Sequence, residues 1–504
     1  VITPTGPSPT ECEGDPFNLV VTVQPYPDVI ATPSSETICN GSSTNIDLST
    51  NITDETVTYT WTAVNFGGKV KGFSGGTVTG FSDCSSSCGT NIGQTLINND
   101  TEPGVVTYTI TPFIGPCQGD DITVDVTVNP SGQVNDPDNQ VLCNGANTDV
   151  VTFTTTHTVG TTTYDWTNDE TSIGLAASGI GDIGSFTAVN TGTSPVTATI
   201  EVTPTFTFDG IPCVGPSETF TITVNPTGQV DEPDDLEVCE GATTETTFTT
   251  QNSGGTTTYA WTNDNTGIGL AASGSGNISF TATNTTLSPI TGIITVTPTF
   301  TNGGVSCEGP SESFTITVHP DPEITSQPDT ETICAGNSTT LEVVAIGGTP
   351  GLDYLWQTYN ESLVQWETAP GTATSSTYDT PNLTQTTKYR VQISSTGLNC
   401  EPVTSAEATV YVPRILTEPV GTVLCEGGTH TMEVDVDEGT ATVTYQWQYT
   451  DFNCSSGWAD ISGATSDTYV TTNLPVSGTR YFRAIVSIAN PSCDDLITNC
   501  VSVE

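Results

Sequence analysis

The chain reads as all-β, a linear array of tandem β-sandwich modules rather than one large fold, and three observations predict this. A cysteine is followed at a nearly constant distance by a tryptophan and later by a second cysteine, five times over. The sets are Cys39–Trp61–Cys117, Cys143–Trp166–Cys213, Cys239–Trp261–Cys307, Cys334–Trp356–Cys400 and Cys425–Trp447–Cys493. The first step is 22 residues, 23 in the second set, by subtraction, and self-similarity at a fixed period marks a repeat architecture. Between these landmarks lie short runs of alternating Thr, Val, Ile and Tyr, which suit pleated, half-buried strands; helical periodicity of useful length is absent. Module ends are marked by a last strand running into proline, at Pro25 ahead of the first set and at Pro130, Pro226, Pro320 and Pro413 after the first four.

Proline cannot continue a ladder and stiffens the residues after it, so these prolines read as module ends and short rigid linkers. They divide the chain into 1–27, the C-terminal part of a truncated domain, and five complete modules at 28–129, 130–225, 226–319, 320–413 and 414–504. Residues Val1–Pro25 parallel Val202–Pro226, so the chain is expected to begin in mid-domain, as an excerpt of a longer polypeptide. In the module at 320–413 the runs TETIC, STTLEVVA, DYLWQTY, SLVQWET, STYDT, KYRVQISS and AEATVYV follow one another as strands A through G. Seven short strands with turn signals between them predict a sandwich. The tryptophan of each set falls inside the third strand, where a core role is expected. Tyr389 and Tyr481, opening the sixth strand, read as tyrosine corners.

Composition narrows the function. Seven Lys and Arg stand against 57 Asp and Glu, a net charge of −50. Such a field repels nucleic acid and anionic membrane surfaces, favours solubility, and opposes folding the array back on itself. An extended rod is the expectation. Charged residues make up only 13% of the chain, which is not the signature of disorder. Fifteen cysteines without zinc-type CxxC pairs point to an oxidising compartment. No stretch is apolar and long enough to span a bilayer, so membrane attachment would come only through an anchor outside these residues.

Several motifs carry a family resemblance. GLAASG recurs at Gly174–Gly179 and Gly269–Gly274, and PSETFTITVNP at 216–226 returns as PSESFTITVHP at 310–320. The last two modules share YLWQ or YQWQ, a second Trp one strand later, and TYDTPNLTQTTKYRVQI or its counterpart. These last two resemble bacterial immunoglobulin-like domains. The second and third complete modules resemble the PKD-like repeats of giant Bacteroidetes cell-surface adhesins of the SprB gliding-motility type, and the first reads as a PKD- or immunoglobulin-like domain with an inserted loop. The resemblance implies an adhesin exported by type IX secretion and displayed on the outer bacterial surface, holding a glycan or another surface ligand; the alternative is a passive stalk or filament component with its binding function elsewhere.

The cysteines do not sit where antibody cysteines sit. The first of each set precedes a turn glycine and strand B, and the second lies in the F–G hairpin, at opposite ends of an immunoglobulin sandwich. A seven-residue strand spans about 23 Å, whereas bridged Cα atoms lie within about 7 Å. Either the strand order differs and each bridge is internal, or the bridges cross junctions as Cys39–Cys213, Cys143–Cys307, Cys239–Cys400 and Cys334–Cys493. Each such staple would be worth about 2–4 kcal/mol. Both schemes stand at this point, with Cys117 and Cys425 counted among the bridging cysteines. Cys454 and Cys500 are expected to pair, Cys84 and Cys88 to close a small loop, and Cys12 to need a partner upstream.

Enzymatic constellations are missing. His157, His319 and His430 lie in different modules, no GxSxG occurs, and paired carboxylates are expected by chance among so many acids. The expectation is a non-enzyme without cofactor. Asp136, Asp138, Asp231 and Asp234 recur just after linkers and are the weak calcium candidates, but calcium needs six to eight oxygens and no DxDxDG loop supplies them. The first complete module carries an insertion with Phe66, Lys69, Lys71, Phe73 and Phe81, a candidate loop for a glycan or protein ligand. Trp366 and Trp458 read as packing residues.

Overall fold

The computed structural model describes all residues except 6, 7, 9–12, 80–89, 398, 399, 473, 475–477 and 490. The fold is all-β, strands joined by turns, with two three-residue 3₁₀ segments among the described residues. Two compact units divide it. The first holds Val1–Gln229, Gln251–Thr257 and Thr299–Gly309; the second holds Val230–Thr250, Thr258–Pro298 and Pro310–Glu504.

In the first unit the plan is clearest between residues 130 and 225. One sheet runs in the order Gln140–Cys143, Glu218–Asn225, Val196–Phe208, Thr161–Asn168, Ser178–Ile180, with Ile211–Val214 folded back on Val196–Phe208 as a hairpin. Alternation explains it: Ala198 lies opposite Ile222 and Ile200 opposite Phe220, and these four are buried together with Val202 and Val224. The facing layer is light, held by single bridges such as Val151 to Ile183. The opening strand is parallel to the closing one, with Cys143 level with Asn225. It therefore carries its cysteine to the end where the chain leaves for the next module. The first complete module does the same, with Cys39 level with Asn129.

The third strand supplies the tryptophan, and its neighbour supplies a glycine that lies flat beneath the ring. Trp61, Trp166 and Trp261 pair in register with Gly76, Gly179 and Gly274. A Cβ on any of these glycines would come within 2.4 Å or less of the indole. The last glycine of GLAASG is thus a packing requirement. Trp61 is half-buried, whereas Trp166 and Trp261 are buried, and Trp356 and Trp447 are fully so.

The second unit contains the body of the third complete module and residues 320–504. There the sheet Glu331–Thr332, Ala408–Tyr411, Thr387–Ser395, Leu352–Asn360, Gln365–Thr368 repeats the plan. Two refinements appear against the sequence expectation. A further strand, Glu323–Ser326, precedes TETIC and pairs with Val344–Ile346, so the opening strand is split between layers. The run STTLEVVA is likewise divided into Thr340–Glu342 and Val344–Ile346, which join different partners on either side of buried Val343. Tyr389 is buried 5.5 Å from Tyr378, and burial pushes its phenol well above the usual range. In the last module Phe482 takes that inward place beside Tyr469, and Tyr481 sits half-buried one residue earlier.

Candidate functional site

The densest chemistry lies where one module meets the next. In the first unit, Asn129 ends a closing strand and is fully buried. Its amide donates to the carbonyl oxygens of Phe208 (2.9 Å) and Ile211 (3.4 Å) in the following module's hairpin. Asn225 repeats this with Asn302, each amide nitrogen donating to an oxygen of the other residue at 3.0 Å. Gly132 and Gly228, in the linkers, donate their N–H groups to the carbonyls of Cys213 and Cys307, each at 3.1 Å. Opposite them stand Gly215 and Gly309, where a Cβ would fall 1.8 and 1.7 Å from the linker carbonyl oxygens. Only glycine lets the two backbones approach this closely.

Disulfides close these junctions. Cys39 bonds Cys213 and Cys143 bonds Cys307, with Cα atoms 5.4 and 5.5 Å apart. In the second unit Cys239 bonds Cys400 and Cys334 bonds Cys493, both at 5.3 Å. The sense never changes: the opening-strand cysteine of one module meets the hairpin cysteine of the next. The internal scheme fails on geometry. Cys143 lies at the exit end of the eight-residue strand Glu218–Asn225 and Cys213 in the hairpin near its start; that strand spans about 26 Å, far beyond bridging distance. Cys454 bonds Cys500.

Two cysteines depart from expectation. Cys117 and Cys425, counted as bridging, carry free, exposed thiols. Pairing each module with the next leaves the first hairpin cysteine and the last opening-strand cysteine of the series over. Cys12, Cys84 and Cys88 lie outside the described residues.

The second unit varies the polar contacts. His319 stands where Asn129 and Asn225 stand, and its Nδ1 lies 2.7 Å from the Thr349 hydroxyl; Glu237 lies 3.6 Å from its Nε2. At the following junction the Thr332 hydroxyl accepts the N–H of Thr440 at 2.8 Å. Asp321, close to the first of these, has its carboxyl pushed upward by burial and then by Glu240 and Glu401.

The remaining sequence candidates are dispersed. Phe66 is 72% exposed and Lys71 is exposed, but Phe73 packs against the core. Lys69 is tied to Glu102 and Asp100. Its hydrogen bond, with one from Thr158, holds the Glu102 carboxyl below the usual range. Phe81 lies outside the described residues. Asp136, Asp138 and Asp234 are exposed, and the Asp231 carboxylate accepts a hydrogen bond from the Thr249 hydroxyl at 2.6 Å. Among the described residues no group of three or more His, Cys, Asp or Glu side chains is placed to hold a metal ion. His157 packs 4.4 Å from the ring of Phe206, while His430 Nε2 meets the Val420 carbonyl at 2.7 Å. The faces of Trp366 and Trp458 are covered by the guanidinium groups of Arg390 and Arg483, 4.4 and 4.3 Å away.

One functional set escaped the sequence reading. Asn98, Asn190 and Asn284 are buried, and each amide donates to the carbonyl of the penultimate closing-strand residue, Val128, Val224 or Val318, at 2.7–2.8 Å. Each also ties down its own adjoining turn. The signal was an asparagine at one place before each sixth strand, easily mistaken for ordinary loop polarity.

A family described as a PKD-like domain matches residues 36–132. A family described as a domain of unknown function (DUF8696) matches twice, at 324–414 and 419–504. No curated protein matches the chain. Among solved structures, the I-band fragment I67–I69 of titin is 12% identical with a TM-score of 0.28, over 55% of this chain and 97% of that one. The N-terminal eight immunoglobulin domains of Down syndrome cell adhesion molecule are 11% identical with a TM-score of 0.28, over 96% of this chain and 73% of that one. Sidekick-1 immunoglobulin domains 1–5 are 13% identical with a TM-score of 0.22, over 95% and 99%. At TM-scores below 0.5 these likenesses carry no argument about this chain. Among the described residues no helix is long and apolar enough to cross a membrane. The five disulfides among the described residues belong to an oxidising, extracellular setting. The chain is an all-β tandem array of sandwiches, PKD-like at residues 36–132, whose junctions are closed by disulfides.

Proposed function

We propose that the chain is a tension-bearing stalk segment of a secreted, surface-displayed repeat adhesin, an extended rod whose modules are 28–129, 130–225, 226–319, 320–413 and 414–504. One observation carries the reading: four disulfides of the same sense each join a module to its successor. A pulling force along the chain must then pass through covalent staples as well as through strand ladders. The net charge of −50 supports an extended arrangement by self-repulsion. Display on a bacterial surface, type IX export and a part in gliding come from the resemblance to SprB-type adhesins and form the finer part of the proposal.

The stalk is favoured over a ligand-gripping module here because two residues of the candidate loop are engaged internally, Lys69 in ion pairs and Phe73 packed against the core. Beads coated with the chain, brought to glycan-bearing and glass surfaces, test this. Retention no greater than that of uncoated beads is expected, together with resistance to stretching that disappears on reduction. Retention abolished by Phe66→Ala with Lys71→Ala would replace the stalk by an adhesive module, and stretching indifferent to reductant would overturn the tension-bearing role.

A further inference from the structure

The junction staples are polar, and the two described cysteines outside a disulfide are one of each pole. Cys425 belongs with Cys39, Cys143, Cys239 and Cys334. Each is followed two residues on by a glycine with φ between +76° and +84°: Gly427, Gly41, Gly145, Gly241 and Gly336. The strand alignment also matches, since Leu424 donates its N–H to the Glu504 carbonyl and Thr422 bridges in parallel to Val503. Cys117 belongs with Cys213 and Cys307. All three sit in the hairpin that folds back on the long sixth strand. Two residues later Gly119 donates to the Pro112 carbonyl at 2.9 Å, as Gly215 donates to Pro204. The room for a Cβ at Gly119 is closed by the Pro27 carbonyl oxygen, 1.9 Å away, just as Gly132 and Gly228 close it at the other two. The bonded hairpin cysteines Cys213, Cys307 and Cys400 are buried, whereas Cys117 is exposed.

We propose that Cys117 and Cys425 are the two open halves of the same staple, each shaped to bond the complementary cysteine of a further sandwich module of this kind. Cys117 takes an opening-strand cysteine of the Cys-x-Gly type; Cys425 takes an F–G hairpin cysteine. The support goes beyond the thiols themselves, since every described equivalent of either position is disulfide-bonded. The chemistry needs a small disulfide oxidant such as oxidised glutathione. One protein thiolate attacks the oxidant and releases a reduced thiol; the second attacks the mixed disulfide and releases the other, leaving the protein disulfide and two reduced thiols. The complementary half can be supplied by a module of the same polypeptide or by a second copy. Because both halves occur on one chain, copies would join head to tail, a heterologous contact that propagates rather than closes. The inference rests on the staple geometry and not on the tension-bearing role.

Two arms distinguish the sources. In the first, the full 504-residue chain with Cys12→Ser, and versions of it with Cys117→Ser or Cys425→Ser, are equilibrated in glutathione redox buffer and sized without reductant. Each single variant is expected to remain monomeric, their mixture to yield one dimer containing a Cys425–Cys117 peptide, and the parent to form a ladder; unchanged melting temperatures confirm that the variants fold. In the second, non-reduced peptides of the protein from its native source are mapped. Cys117 joined to a Cys-x-Gly cysteine outside these residues supports the proposal with the same polypeptide as source. Symmetric Cys117–Cys117 or Cys425–Cys425 dimers, a Cys117–Cys425 bond within one copy, or free thiols in both arms would overturn it.

Discussion

Reducing the four staples changes how far the chain can be stretched, by an amount the connectivity sets. The shortest covalent route from Cys39 to Cys493 crosses to Cys213, follows the 26 residues to Cys239 and crosses to Cys400. It then returns along the 66 residues to Cys334 and crosses to Cys493, the lengths being differences of residue number. At about 3.5 Å per extended residue, with three bridges whose Cα atoms are 5.3–5.4 Å apart, that route reaches about 340 Å. Once reduced, the 454 residues between Cys39 and Cys493, again by subtraction, reach about 1,600 Å. Single-molecule stretching from handles at the chain termini should therefore gain about 1,250 Å of contour length on adding reductant. The Cys143–Cys307 bond lies off the shortest route, so Cys143→Ser with Cys307→Ser should leave the oxidised limit unchanged. Serine at Cys239 and Cys400 should lengthen it only slightly, by about 18 Å at 3.5 Å per residue, the next route returning along the 70 residues from Cys213 to Cys143 and following the 27 from Cys307 to Cys334. An oxidised molecule that extends well beyond the short limit would refute the reasoning, because internal bridges leave the linkers and every module exit free to run out.

Other expectations come from the packing. Gly179→Ala drives a methyl into Trp166 and should destabilise its module by about 1–3 kcal/mol, read as a lower melting transition; Gly181→Ala, at a positive-φ turn with open space around its Cβ, is the steric control and should spare the tryptophan environment. Asn190→Ala leaves the Val224 and Ser194 carbonyls without their donor and should cost about 1–3 kcal/mol for each carbonyl it strands, measured by urea unfolding. Tyr59 and Tyr108 are buried, and burial pushes both phenols up to about 12. A raised folded pKa gives stability that is complete below the unfolded value, near 10.0, and is lost as pH rises through about 12. The first complete module should therefore unfold in that alkaline window, with tyrosinate absorbance rising alongside, and Tyr59→Phe should move the loss to higher pH.

Strand alternation and the cysteine–tryptophan spacing made the repeated sandwich legible in the sequence, because both report local geometry that packing leaves intact. Trp166 and Trp356 sit in the core where their place in a third strand puts them. The cysteine pairing was legible only as two alternatives. Their resolution depends on the opening strand lying parallel to the closing one, a non-local pairing that places Cys143 beside Asn225. Cys117 and Cys425 were counted as bridging because composition sees cysteines in number, whereas the offset between partners decides which are left over. Asn98, Asn190 and Asn284 were passed over for a related reason. A polar residue before a strand looks like a solvated loop until its amide is found buried on a neighbouring strand's carbonyl. Gly215 and Gly309 were invisible for the same cause, since what excludes a Cβ there is the linker backbone at Gly132 and Gly228, far away in the sequence.

The most direct test of the stapled junction is mapping of non-reduced peptides by mass spectrometry after proteolysis under acid conditions that suppress thiol exchange. Cross-linked peptides joining Cys39 to Cys213, Cys143 to Cys307, Cys239 to Cys400 and Cys334 to Cys493 are the expected result. A peptide joining Cys143 to Cys213, or Cys239 to Cys307, would place the bridges inside single modules and contradict the account.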